Sequence, residues 1–284
     1  MGKHHRQTEY YKGAGVFFDT HAHLYDERFE EEGMSPDTIL ANAAAAHVTS
    51  ILVPADNEET SKKAYAYAKE NTGKHGIKIY CSVGVHPHDA KTYTDKTKEY
   101  LRQAVAEDGK TLIRAIGEIG LDYYYDLSPR DVQREVFEKQ ILLSKDADMP
   151  FILHERDATG DTLDILRKHH KAGSLRGRPG VCHCCSMSAE AAAELVKMGF
   201  YIGFDGPLTF KNNRKGIELA ASVPKDRIVI ETDSPYLTPE PNRGKINEPA
   251  HVPYVAVRLA EILGMTVEEI ADLTYANAMN LYEL

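Results

Sequence analysis

A single (β/α)8 TIM-type barrel is the fold this sequence predicts. Short β-branched or apolar runs alternate with longer amphipathic segments along the whole chain, eight such runs are present, and each connection is long enough to cross over between parallel strands. The first run is Val16 to Thr20, and the helical stretch Asp37 to Ala46 leads from it to Ser50 to Pro54. Glu59 to Glu70 precedes the third run, Ile79 to Val85, and Asp95 to Glu107 precedes the fourth, Leu112 to Gly117. Asp131 to Lys145 returns the chain to Phe151 to His154, and Thr162 to His170 to Gly180 to Cys184. Ala189 to Lys197 leads to Tyr201 to Phe204, and Arg214 to Ala221 to the last run, Arg227 to Glu231. A helical pair near His251 to Leu263 and Val267 to Tyr282 closes the chain.

An open doubly wound sheet is the architectural alternative. Its glycine-rich phosphate fingerprint is absent after the first strand, where the chain reads Asp19-Thr20-His21-Ala22-His23. No internal repeat, linker or composition shift divides the chain, so one domain is expected over residues 16–284, preceded by an extension of residues 1–15.

The 284 residues carry 34 Lys plus Arg against 43 Asp plus Glu, a formal charge of −9, with 42% hydrophobic and 27% charged residues. That composition excludes disorder as a main theme, and the charge argues against indiscriminate coating of nucleic acid, though not against a local phosphate site. Apolar runs such as Phe151 to Leu153 are far too short to span a bilayer. The N-terminus lacks a signal-type hydrophobic stretch, and the four cysteines are too few and clustered for a disulfide framework. A cytoplasmic protein with reduced thiols is expected.

The chemistry gathers at predicted strand ends, which in a barrel open onto one face. His21 and His23 end the first strand; two apart in extended chain, they point the same way and can reach one ion. Glu118 follows strand four within Ala-Ile-Gly-Glu-Ile-Gly, among small and apolar neighbours, where a buried carboxylate needs a cation or strong donors. His154 ends strand five, His183 sits on strand six and Asp233 follows strand eight. Together they exceed what one tetrahedral ion uses and suit a pair of ions sharing a bridging carboxylate. His86 and His88 share that rim and are read as facing substrate. His4 and His5 read as a tail, and His169 and His170 as the solvated end of a helix. Cys182, Cys184 and Cys185 lack a second ligand pair at zinc-finger spacing. The run Tyr123 to Tyr125 either stacks bases at the rim or packs beneath the following helix.

Seven stretches resemble the TatD family of metal-dependent deoxyribonucleases, within the amidohydrolase-like barrel superfamily. They are FFDTHAHL from Phe17, GVHPHDA from Gly84, AIGEIGLDYYYDLSPRDVQREVFEKQ from Ala115, PFILHERDA from Pro150, VCHCCS from Val181, YIGFDGPLTFKN from Tyr201 and ETDSPYLTPEPNRGKINEPAHV from Glu231. The resemblance implies a barrel hydrolase of phosphodiester bonds, exonuclease-like on single-stranded DNA or DNA ends, with two divalent ions (Mg, Mn or Zn). It implies that His21, His23, Glu118 and Asp233 hold one ion and Glu118, His154 and His183 the other, with His86, Arg156 and Arg243 near the substrate phosphates. Cys185 stands where the family usually has an aromatic residue, and Met187 where it often has Gly, so the wall around His183 departs from the family pattern.

Metal-activated water is the expected nucleophile, with Asp233 and Glu118 the catalytic carboxylates and Asp233 the proton acceptor. The same metals serve hydrolysis of carboxylic ester or amide bonds, as in an aminoacyl-tRNA deacylase, so a substrate panel separates the readings. A noncatalytic metal-binding scaffold is the remaining alternative. No membrane contact and no obligate protein partner is expected.

Overall fold

The computed structural model describes residues 8–284. Eight parallel strands form one sheet in chain order: β1 (Phe17–Asp19), β2 (Val48–Val53), β3 (Lys78–Val83), β4 (Ile113–Asp122), β5 (Phe151–Arg156), β6 (Gly180–Cys182), β7 (Tyr201–Phe204) and β8 (Ile228–Ile230). The ends of the sheet meet beyond β8 and β1. Thr20 N donates to Ile230 O (3.2 Å), Asp233 N to His21 O (2.8 Å) and His23 N to Ser234 O (2.8 Å). The arrangement is a (β/α)8 barrel, and the bonds that close it hold the backbones of His21, His23 and Asp233 together at one rim.

Helices α1 (Arg28–Glu31), α2 (Pro36–Ala45), α3 (Glu58–Asn71), α4 (Asp95–Asp108), α5 (Arg130–Asp146), α6 (Thr159–Lys171), α7 (Ala189–Lys197), α8 (Arg214–Ser222), α9 (Val252–Leu263) and α10 (Val267–Tyr282) follow the strands. Short polar side chains start several of them: Ser35 caps α2, and Asn57, Thr94 and Thr266 form reciprocal capping boxes at α3, α4 and α10. Phe18, Leu52, Ala115, Ile152, Val181, Tyr201 and Val229 alternate with outward-facing neighbours and form an inner cluster closed by Leu281 and Tyr282 of α10. The helices pack the larger apolar shell outside the sheet. Mixed aliphatic and aromatic packing thus fills the barrel below the rim, and the polar residues gather above it.

Strand β4 runs five residues past its predicted end, to Asp122, with an irregular register against β5 between Ile116 and Ile119. Gly120 explains how: its φ is +144°, and a Cβ there would fall 1.9 Å from His154 O. The glycine lets β4 approach β5 with Glu118 and Asp122 on one face. Conversely, β6 stops at Cys182, because Cys184 adopts φ +42° and turns the chain away.

His169, read from sequence as solvated, is buried, and its Nε2 lies 3.0 Å from Glu138 Oε2 on α5. The apolar face of α6 carries it inward. His4 and His5 lie outside the described residues. Within residues 8–15, Tyr10 reaches the barrel: its hydroxyl donates to Glu248 Oε1 at 2.7 Å. Among the described residues no helix is long and apolar enough to cross a membrane.

Candidate metal centre

Six side chains from five strand ends converge at the C-terminal rim. His21 and His23 follow β1, Glu118 lies in β4, His154 in β5, His183 one residue past β6, and Asp233 beyond β8. Around Glu118 Oε1, His21 Nε2 lies at 3.2 Å and His23 Nε2 at 3.4 Å. The two imidazole nitrogens are 3.3 Å apart, and Asp233 Oδ1 is 3.6 Å from His21 Nε2 and 3.4 Å from His23 Nε2. Ligand atoms about 2.1 Å from one tetrahedral ion are about 3.4 Å from each other, so these spacings are those of one coordination shell. Around the other oxygen, Glu118 Oε2, His183 Nε2 lies at 2.9 Å and His154 Nδ1 at 3.4 Å, with those two nitrogens 3.3 Å apart. The donor set therefore fits metal on both sides of one carboxylate.

His86 stands beside this set, its Nε2 3.9 Å from Glu118 Oε2, and with Glu118 and His154 it is also close enough to share an ion. Its Nδ1 accepts from His88 N (3.1 Å), which leaves the ring proton on Nε2. Burial, with His154 beside it, keeps His86 well below the ordinary imidazole pKa, so it is a neutral donor.

Burial opposes charge on Glu118, Asp233, His183 and His23, and pairing outweighs it at each. Glu118 is held well below the usual carboxylate range by His183 and His21, and Asp233 is lowered chiefly by His23, both against burial. His183 is pushed well up by Glu118 and Glu231, and His23 up to about 9 by Asp233, Asp56 and Glu118, again against burial. Ionised buried carboxylates demand positive charge within a few ångströms, supplied by imidazolium protons or by cations beside neutral imidazoles.

Several orienting residues were not legible from sequence. Asp122 Oδ2 accepts from His154 Nε2 (3.0 Å) and His88 Nε2 (2.9 Å), which turns His154 Nδ1 toward Glu118. Alternation would have found it, since Asp122 is four residues beyond Glu118 on the same strand face. Tyr25 donates to Asp56 Oδ2 (3.2 Å), and both stand beside His23. Asp205 is buried, its Oδ2 has no hydrogen-bond partner among the described residues, and it is pushed well above the carboxylate range by burial and by Glu231 and Asp233. It directly follows the predicted strand Tyr201 to Phe204, so the strand-end position that marks the convergent residues could have found it.

A cleft of about 390 Å³ opens beside these groups, lined by His154, Arg156, His183, Asp205 and Asp233 among others, with Cys185 and Met187 in its wall. Arg243 lies 4.1 Å over the Phe210 ring in an adjoining depression, away from the convergent atoms. The turn around it is closed by Asn242 N donating to Pro239 O (2.9 Å). Cysteine takes no part in the clusters capable of holding metal among the described residues, and burial raises the Cys184 thiol well above its usual pKa. The tyrosine run divides: Tyr123 OH donates to Asp161 Oδ2 (2.6 Å), whereas Tyr124 and Tyr125 face solvent.

The family model described as TatD related DNase matches residues 18–283. The uncharacterised metal-dependent hydrolase YabD of Bacillus subtilis is 41% identical over 269 residues, covering 95% of this chain and all of that protein. The 3′-5′ ssDNA/RNA exonuclease TatD of Cronobacter sakazakii is 32% identical over 273 residues, covering 93% of this chain and 97% of its own. Among solved structures, the TatD homologue YjjV of Escherichia coli superposes with a TM-score of 0.83 at 29% identity, covering 94% of this chain and 98% of the other.

Proposed function

We propose that this chain, which belongs to the TatD related DNase family, is a metal-dependent phosphodiesterase acting on single-stranded DNA or DNA ends. The observation that carries the reading is the placement of Glu118 between two donor sets, His21, His23 and Asp233 on one oxygen and His154 and His183 on the other. In this reading those six residues hold two divalent ions. When bound, such ions lower the pKa of a water and offset charge that builds on the phosphate oxygens.

The chain's own groups do the rest. Asp233, ionised and lining the cleft, accepts the proton of the attacking water. Its backbone, at φ +55°, is held there by Asp233 N donating to His21 O. His86 donates a hydrogen bond from Nε2 to a phosphate oxygen. Arg156 and Arg243 present guanidinium forks to phosphates farther along the strand. A 3′-5′ exonuclease among the relatives supports a nucleic-acid substrate over a carboxylic ester.

Asp233→Asn tests the assignment with bis(p-nitrophenyl) phosphate as substrate. Turnover should fall by about 10²–10⁴, the range for loss of a positioned proton acceptor, with the circular dichroism spectrum unchanged. Undiminished turnover would remove Asp233 from that role. Turnover of carboxylic esters alone would move the chain to the ester or amide reading.

A further inference from the structure

Beyond Asp122 the chain leaves the barrel and sets two tyrosines on the rim. Tyr124 is 57% and Tyr125 53% exposed, their rings edge to face with centroids 4.9 Å apart. The Arg156 guanidinium lies 4.0 Å from the Tyr124 centroid and 5.0 Å from that of Tyr125. Nothing acidic pairs with that guanidinium among the described residues, in contrast to Arg130 and Arg134 on the neighbouring helix, which bind Asp126 and Asp161. Arg156 ends β5 two residues after His154 and lines the same cleft as His183 and Asp233.

The pair is fixed in place. Tyr124 N (3.1 Å) and Tyr125 N (2.9 Å) both donate to Asp122 Oδ1, while Asp122 Oδ2 holds His154 and His88. His88 in turn meets the Tyr125 ring edge-on at 5.3 Å. One buried carboxylate thus sets both a convergent histidine and an exposed aromatic surface. Exposed ring faces next to an uncompensated cation suit a ligand with a flat π-system and a phosphate.

We infer that Tyr124 and Tyr125 form a stacking subsite for a nucleobase of single-stranded nucleic acid, with Arg156 engaging the adjoining phosphate. This rests on the phosphodiesterase reading for its link to turnover. A duplex hides its base faces within the stack, so the subsite selects unpaired strands or frayed ends. On a chain with a net charge of −9, stacking adds an uncharged contribution to the hold on a polyanion.

The probe is a six-nucleotide DNA carrying 2-aminopurine and phosphorothioate linkages, titrated into metal-loaded full-length protein. Stacking quenches its fluorescence, and Tyr124→Ala/Tyr125→Ala should weaken binding about tenfold or more and abolish the quench. Tyr124→Phe/Tyr125→Phe, which keeps the rings, should retain both. An abasic hexamer should bind the wild type and the alanine variant equally. Wild-type quenching by the alanine variant, or equal wild-type affinity for abasic and base-bearing strands, would overturn the inference. Hydrolysis of bis(p-nitrophenyl) phosphate without probe binding would sink the subsite and leave the phosphodiesterase reading standing. Binding and quenching without hydrolysis of any phosphodiester would sink that reading and leave the subsite.

Discussion

Asp122→Asn should weaken one of the two proposed ions and spare the other. The native carboxylate accepts four bonds, from His154 Nε2 (3.0 Å), His88 Nε2 (2.9 Å), Tyr124 N (3.1 Å) and Tyr125 N (2.9 Å). An asparagine can keep its oxygen on the two backbone amides, but its amide nitrogen then faces two imidazole nitrogens that are themselves donors. His154 must move its proton to Nδ1, the atom 3.4 Å from Glu118 Oε2, and so loses its lone pair there. Loss of such an orienting partner costs about 10–100-fold in metal affinity, or about 1.4–2.7 kcal/mol. His21, His23 and Asp233 do not touch Asp122, so their ion should be unaffected. Equilibrium dialysis against buffered manganese, read by elemental analysis, should show one site weakened by that factor and one unchanged. Equal weakening of both sites, or of neither, would refute the assignment of His154 to its own donor set.

Other outcomes follow from burial. Tyr282 is 2% exposed and its hydroxyl has no partner among the described residues, so Tyr282→Phe should raise stability by about 1 kcal/mol, whereas Tyr282→Ala should cost about 3–5 kcal/mol by opening the base of the barrel. Urea unfolding checks both, and a destabilised Phe variant would mean the hydroxyl is satisfied. His251 is fully buried and its pKa is lowered to about 4, by burial first and by Lys245 second. Its folded value lies below the unfolded one, so the unfolded chain binds the extra proton, and stability present above about pH 6.5 is lost as pH falls toward 4. About 2 kcal/mol should disappear between pH 7 and pH 5, and His251→Gln should lose that much less over the same interval. Parallel pH profiles for the two proteins would contradict it.

The barrel was legible because its strands are short apolar runs at regular intervals, and the convergent residues because their types cluster at the ends of those runs. His21 and His23 declare themselves by the two-residue repeat of extended chain, and the structure sets their Nε2 atoms 3.3 Å apart. Glu118 stood out as a carboxylate among small and apolar residues. The fourth predicted strand stops at Gly117, whereas β4 continues to Asp122 through Gly117 and Gly120, whose missing Cβ atoms permit the close approach of β4 to β5. That error hid Asp122, which reaches the rim only if the strand continues. Asp205 directly follows the predicted strand Tyr201 to Phe204 and Asp56 lies two residues past Ser50 to Pro54, so position placed both at the rim while a lone carboxylate there gave no sign of its role. His169 shows the opposite failure, where the end of a helix was read as solvated although its inner face continues.

Metal-dependent cleavage of nucleic acid by this site is read from a single-stranded DNA oligonucleotide labelled at the 5′ or the 3′ end. It is incubated with protein stripped of metal and then given magnesium, manganese or zinc, beside Glu118→Ala. Stepwise shortening should appear only with added metal and be lost in the variant, because Glu118 stands between both donor sets. Shortening without metal, or undiminished shortening by Glu118→Ala, would contradict it.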